Sequence, residues 1–148
     1  MPKIAALLLS SVIAAGAVAA ASPAQAASCM QFQRIWYNQP GSDVPATNAK
    51  LNAEYVSLKN TCPTKTIVLT NWQLRDRDAH VYVFPSTRLA PGQTIVVHTG
   101  SGTQNSTNRY WGLDYYVWTN TGDRARLWNG PVLVDQCTWG NGPGYINC

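Results

Sequence analysis

Residues 80–100 read HVYVFPSTRLAPGQTIVVHTG and contain two short apolar runs of period two, HVYVF and TIVVH. One histidine lies at an end of each run, His80 at the start of the first and His98 at the end of the second. Pro85 ends the first run because proline cannot donate to a strand ladder. A proline–glycine turn precedes the second run. The stretch therefore predicts two β-strands, with both histidines at strand ends as structural side chains.

The remainder of the chain repeats this pattern of short strands and turns. Strands are predicted for the segments MQFQRIWYN, AEYVSLKN, IVLTNWQLRD, RYWGLDYYVWTN, RARLW and VLVDQCTW, whereas QPGSDVPATNAKLN, TGSGTQNSTN and the tail GNGPGYIN are predicted to be loops. In MQFQRIWYN the apolar phase shifts, and a bulge near Gln33 and Arg34 would return the apolar residues to one face. No segment has a sustained helical period. This spacing predicts an all-β sandwich or barrel.

The first 26 residues have the layout of a secretory signal peptide. Lys3 precedes an apolar stretch that extends to about residue 21, and Ala24-Gln25-Ala26 provides an A-x-A cleavage site. A membrane anchor is the alternative. We expect residues 1–26 to be removed, residues 28–148 to form one domain, and the mature protein to be extracellular with no membrane segment.

Four cysteines follow the predicted signal peptide, and they are Cys29, Cys62, Cys137 and Cys148. An even number of cysteines in a small exported domain predicts two disulfides, which can pair in three ways. No C-x-x-C motif occurs and no histidines stand at zinc-finger spacing, so a metal site is not expected.

A hairpin argument favours one pairing. Suppose that MQFQRIWY and AEYVSLKN pair antiparallel with Tyr37 opposite Glu54. The residue numbers of each opposed pair then add up to 91, which places Cys29 opposite Cys62. The remaining two cysteines would then pin the glycine-rich tail. The suspected bulge could shift this register by one residue, so the other pairings stay open.

Charge gives little indication of a ligand. The chain has 11 basic and 7 acidic residues, and its net charge is +4. The closest basic groups are Arg75 with Arg77 and Arg124 with Arg126, each interrupted by another residue type. Dispersed charges of this kind predict solvated strand faces, so nucleic acid is a weaker alternative partner.

Several segments together resemble a known family. The ordered series AEYVSLKNT, NWQLRD, HVYVFPSTRLAPGQTIVVHTG, YWG, YVWTNTGDRARLW and VDQCTW is similar to the lamin tail domain, in its secreted bacterial branch. The resemblance implies an immunoglobulin-like β-sandwich with no established catalytic residues and no cofactor. In nuclear lamins the domain follows a coiled-coil rod and contacts proteins and nucleic acid. This chain has no such rod and begins with a predicted signal peptide, so those nuclear roles are not transferred.

A catalytic constellation is not evident, although one hydrolase hypothesis can be stated. Glu54 shares the probable core face of its strand, and a buried carboxylate could act as a general acid with His80 or Asp76. Interaction of Glu54 with loop amides or an arginine is the structural alternative. Asp76, Asp78 and His80 could hold a cation only weakly, and we expect them in a hairpin turn.

Aromatic residues are the more promising contact groups. The chain has six tryptophans and seven tyrosines, and such residues dominate binding hot spots. Arg109, Tyr110 and Trp111 follow a polar loop and are the candidate partner contacts. We therefore expect a secreted, non-enzymatic binding or structural module that contacts a protein, a cell-wall polymer or another extracellular polymer.

Overall fold

A computed structural model describes residues 28–148, so the predicted signal peptide lies outside the described part of the chain. The described residues form eleven strands and one short helix. In chain order these are Met30–Trp36 (β1), Asn48–Ala53 (α1), Tyr55–Asn60 (β2), Ile67–Val68 (β3), Gln73–Arg75 (β4), Val81–Val83 (β5), Arg88–Leu89 (β6), Thr94–His98 (β7), Asn108–Tyr110 (β8), Asp123–Asn129 (β9), Val132–Trp139 (β10) and Tyr145–Asn147 (β11). Within this range, no helix has the length and apolar character needed to cross a membrane.

Two sheets form a β-sandwich, as the sequence predicted. The five-stranded sheet has the order β11-β1-β2-β7-β8, and the four-stranded sheet has the order β10-β9-β4-β5. β3 and β6 form a separate two-stranded ribbon. All described strand pairs are antiparallel except β7 with β8. Fully buried side chains from both sheets make one core, which includes Phe32, Leu58, Leu74, Ile95 and Leu127.

The predicted bulge in β1 is confirmed. The register between β1 and β2 shifts between Phe32 and Arg34. Met30 and Phe32 before the shift, and Ile35 and Tyr37 after it, are all buried. One extra residue reverses the side-chain phase, so the bulge brings both apolar pairs to the core face.

Both expected disulfides are present, Cys29–Cys62 and Cys137–Cys148. The register argument for the first pair was only half correct. Opposed residues sum to 91 on the Trp36 side of the bulge but to 90 on the cysteine side, where Met30 opposes Asn60. Cys29 is therefore bonded to the residue that follows its strand partner, and the offset does not prevent the bond because the two Cα atoms are 5.0 Å apart.

Two predicted loops contain regular structure. Helix α1 lies in the segment predicted as a long polar loop, and the Thr47 side chain caps it by accepting from the amide of Lys50. Six residues are too few to leave a helical period in the sequence. In the tail, β11 pairs with the outer edge of β1, and the Cys148 disulfide fixes the end of this strand.

One predicted strand is mostly irregular. Of the predicted aromatic segment, residues 109–120, only Arg109 and Tyr110 lie in a strand (β8), and residues 111–120 form turns and loop. The amides of Val117 and Trp118 donate to the carboxylate of Glu54 instead of a sheet ladder. A side-chain acceptor from a distant part of the chain thus replaces strand pairing here.

Candidate functional site

The outer face of the five-stranded sheet carries one ring from each strand. These rings form a continuous aromatic row, which consists of Tyr145, Trp36, Tyr55, His98 and Tyr110 in the order β11 to β8. Each ring is the register partner of the next, and neighbouring centroids lie 5.0, 6.4, 5.9 and 5.0 Å apart. All five side chains are partly accessible to solvent, and Tyr145 at the sheet edge is the most exposed, at 36%.

Neighbouring groups hold the aromatic row in place. At one end the guanidinium of Arg34 lies 5.4 Å from the centroid of the Tyr145 ring. At the other end Gly102 lies so close to the Tyr110 ring that an added Cβ atom would clash with a ring carbon. In between, Nδ1 of His98 is 2.6 Å from the carbonyl oxygen of Asn52. A row fixed in this way loses little side-chain entropy when a ligand binds.

A second row of residues lies beside the aromatic row on the same face. Each member is two residues from a ring on its own strand, so it points to the same side of the sheet. We call it the polar row; it consists of Asn147, Arg34, Ser57, Val96 and Asn108, of which all but Val96 are polar, and each member is the register partner of the next. Together with Tyr55, His98 and Gln33 it lines an open groove of about 620 Å³.

Hydrogen bonds order the groups in this groove. Nε of Arg34 donates to Oδ1 of Asn147 at 2.8 Å, and Oδ1 of Asn108 lies 3.0 Å from Nε2 of His98. The Ser57 hydroxyl accepts from the amide of Arg34 and donates to its carbonyl, both at 3.1 Å, and so bridges the bulge in β1. The groove therefore combines an aromatic wall with amide, hydroxyl and guanidinium groups.

The three residues predicted as partner contacts lie in different environments. Arg109 is only 8% exposed, and its guanidinium donates to the Thr87 hydroxyl and to the carbonyls of Asn105 and Asn108. This burial corrects the prediction for Arg109, which anchors a loop inside the fold.

Trp111 is half-buried and packs against Tyr82 and Trp118, with centroids 5.7 and 6.0 Å away. Tyr110 is the member of the predicted trio that lies in the aromatic row. The sequence pattern identified Tyr110 as a contact candidate, but it could not show the four rings from distant strands that lie beside it.

Glu54 is a buried carboxylate held by a loop, as its structural interpretation predicted. The residue is 2% exposed. Oε1 accepts from the Thr99 hydroxyl at 2.6 Å, the Val117 amide at 2.8 Å and the Trp118 amide at 3.3 Å, whereas Oε2 is buried without a partner. Desolvation raises the pKa of Glu54 to about 7, although the three hydrogen bonds act to lower it.

The hydrolase hypothesis requires Glu54 to meet His80 or Asp76, and within residues 28–148 no hydrogen bond joins them. Asp76 instead accepts from His80, with Nδ1 at 2.5 Å and the backbone amide at 2.8 Å, and this pair closes the predicted β4–β5 hairpin turn. Asp78 lies apart, exposed and 3.5 Å from Nε of Arg77. In the described part of the chain no three His, Cys, Asp or Glu residues cluster to hold a metal ion.

A family model described as Lamin Tail Domain matches residues 23–141. The chain belongs to the lamin tail domain family. The immunoglobulin-like fold of this family agrees with the two-sheet sandwich, and it generally serves binding or structural roles. A comparison with curated proteins found no match to the chain. The family match ends before β11, so Tyr145 and Asn147, which extend both rows of the outer face, lie beyond the matched region.

Proposed function

We propose that this protein is a secreted binding module that uses the outer face of its five-stranded sheet to hold a glycan chain of an extracellular polymer. The observation that carries the proposal is the aromatic row beside the polar row. A sugar ring has apolar C–H faces and a rim of hydroxyls. Aromatic groups match the first of these features, and amides, hydroxyls and guanidinium groups match the second.

The shape of the face suits a chain more than a small molecule. Five strands at about 4.8 Å spacing give a row of roughly 19 Å across the sheet. The groove beside the row is open and follows the same direction, because its lining residues are register partners on the same five strands. An elongated ligand could lie along both rows at once.

An extracellular setting is supported by two features. The predicted signal peptide over residues 1–26 implies export. The disulfides Cys29–Cys62 and Cys137–Cys148 are compatible with an oxidising exterior, where such bonds persist. Family membership supports a module that binds and does not catalyse.

The test measures capture of the secreted protein by insoluble cellulose, chitin and peptidoglycan. We expect at least one polymer to retain the protein, and we expect Tyr55→Ala to weaken retention roughly tenfold, as loss of a central aromatic contact does. Tyr145→Ala tests the row at its exposed end, where the fold depends least on the ring. Tyr115→Ala is the matched control, because Tyr115 is an exposed tyrosine outside this face.

Thermal melts would accompany each binding measurement to show that the variants remain folded. Retention lost in Tyr55→Ala and Tyr145→Ala but kept in Tyr115→Ala would support the proposal. Capture by none of the three polymers, or equal behaviour of all three variants, would contradict it.

A further inference from the structure

The outer face of the opposite, four-stranded sheet carries a cluster of arginines. Arg124, Arg126 and Trp128 occupy alternate positions on β9 and therefore share one face. On the neighbouring strand β4, Arg75 is the register partner of Arg126. The sequence predicted separate, solvated basic pairs, and the strand pairing corrects this by placing residues from both pairs side by side.

Within residues 28–148, no carboxylate forms an ion pair with this cluster. Two ion pairs occur within the described residues, Arg77–Asp78 and His80–Asp76, and neither involves a cluster arginine. Asp123 is close in sequence, but it is buried and its oxygens accept backbone amides, including that of Arg124. Like charges on directly opposed strand positions repel each other. A bound anion would therefore relieve the repulsion between Arg75 and Arg126.

Unsatisfied donors mark the same face. Nε of Arg124, Nε of Arg126 and Nε1 of Trp128 are all buried and lack a hydrogen-bond partner in the structure. They belong to three successive outward positions of one strand, and each can only donate. A buried donor without an acceptor is costly, by about 1–3 kcal/mol. These three nitrogens are closed to solvent, so an external anion would bind the more exposed parts of the two arginine side chains and offset their positive charge.

Contacts within the sheet hold Arg75 and Arg126 in position. Nη2 of Arg126 donates to the backbone carbonyl of Asp76 at 2.7 Å. Arg75 donates through Nε to Oε1 of Gln73 at 2.8 Å, and its guanidinium lies 5.2 Å from the centroid of the Trp128 ring. At the end of the face, Arg77 and Arg124 line a cavity of about 290 Å³, which Asp123 also lines. Arg75 and Arg126 are thus ordered before any ligand arrives.

We propose that Arg75, Arg124 and Arg126 form a binding site for the anionic oxygens of an acidic glycan, such as sulfate or carboxylate groups along the chain. Guanidinium groups bind such oxygens through paired N–H donors. Nucleic acid is less well matched, because the Trp128 ring is engaged by Arg75 and is not free to stack on a base. The site lies on the sheet opposite the aromatic row, so anion binding here can be tested independently of glycan binding at the aromatic row.

The experiment measures binding of the protein to immobilised dextran sulfate over a range of NaCl concentrations, with uncharged dextran as the ligand control. We expect Arg124→Gln and Arg126→Gln each to weaken binding roughly tenfold, as loss of a charge-assisted hydrogen bond does. Each should also reduce the slope of log K against log salt by about one. Arg88→Gln is the matched control, because it removes an equal charge from an exposed position on β6.

The outcomes separate the site from general electrostatic attraction. Binding that weakens in the two β9 variants but not in Arg88→Gln, with melting temperatures maintained, supports the site. Equal weakening in all three variants, or equal binding to uncharged dextran, overturns it. Displacement by free sodium sulfate at low millimolar concentration would overturn the polymer as ligand, and tighter binding to duplex DNA than to dextran sulfate would overturn the glycan in favour of nucleic acid.

Discussion

The wild-type protein should become less stable as the pH rises from 4.5 to about 7, and replacing Glu54 by glutamine should abolish this pH dependence. Burial raises the pKa of this carboxyl from 4.5 to about 7. By linkage, a difference of this size between the folded and unfolded chains corresponds to about 3 kcal/mol. Because the side chain is almost fully buried, solvent screening reduces this free energy only slightly.

The sign follows from proton binding. Below pH 4.5 both the folded and the unfolded chain carry the proton on Glu54. Between pH 4.5 and 7 the unfolded chain loses the proton while the folded chain keeps it, so rising pH favours unfolding. Above about pH 7 the folded chain is also ionised and the loss is complete. Glutamine resembles the protonated acid and cannot titrate, so Glu54→Gln lacks this dependence.

The assay is urea denaturation of wild type and Glu54→Gln at several pH values from 4.5 to 8. We expect the free energy of unfolding of the variant, relative to wild type, to rise by about 3 kcal/mol across this range. All other ionisable side chains are the same in both proteins, so their contributions cancel in the difference. A difference that stays constant with pH would refute the reasoning, because it would mean that Glu54 has the same charge in both states.

Three further predictions follow from other contacts. Replacing Cys29 and Cys62 together by alanine should lower the free energy of unfolding by about 4 kcal/mol in the chain-entropy model; urea curves would check this, and reductant should have no further effect at that pair. Thr99→Val leaves the buried carboxylate without its hydroxyl donor and should cost about 1–3 kcal/mol at pH 8, measured by the same denaturation; an unchanged midpoint would contradict it. Gly102→Ala should turn the Tyr110 ring out of the aromatic row, so polymer retention should fall while the melting temperature changes little; retention equal to wild type would show that this ring does not contribute.

Local patterns in the chain were sufficient for much of the fold. The period-two runs located most strands and assigned their core faces, and the phase shift in the first run located the β1 bulge. Helix α1 was missed because its six residues are too few to show a helical period. It is stabilised by the Thr47 side chain that caps its start. Residues 111–120 were assigned wrongly to a strand, and the amides of Val117 and Trp118 bond instead to Glu54, a partner 63 positions away from Val117 in sequence.

By itself the sequence determined which side chains share a strand face, because alternation is a property of neighbouring residues. The register of one predicted hairpin also favoured one of the three possible disulfide pairings. It did not determine the two outer faces proposed as binding surfaces. Trp36 and Tyr145, or Arg75 and Arg126, become neighbours only through the order and register of strands distant in the chain. Register is decided by how all the strands bury their apolar faces together, so only the tertiary structure could align these residues in rows.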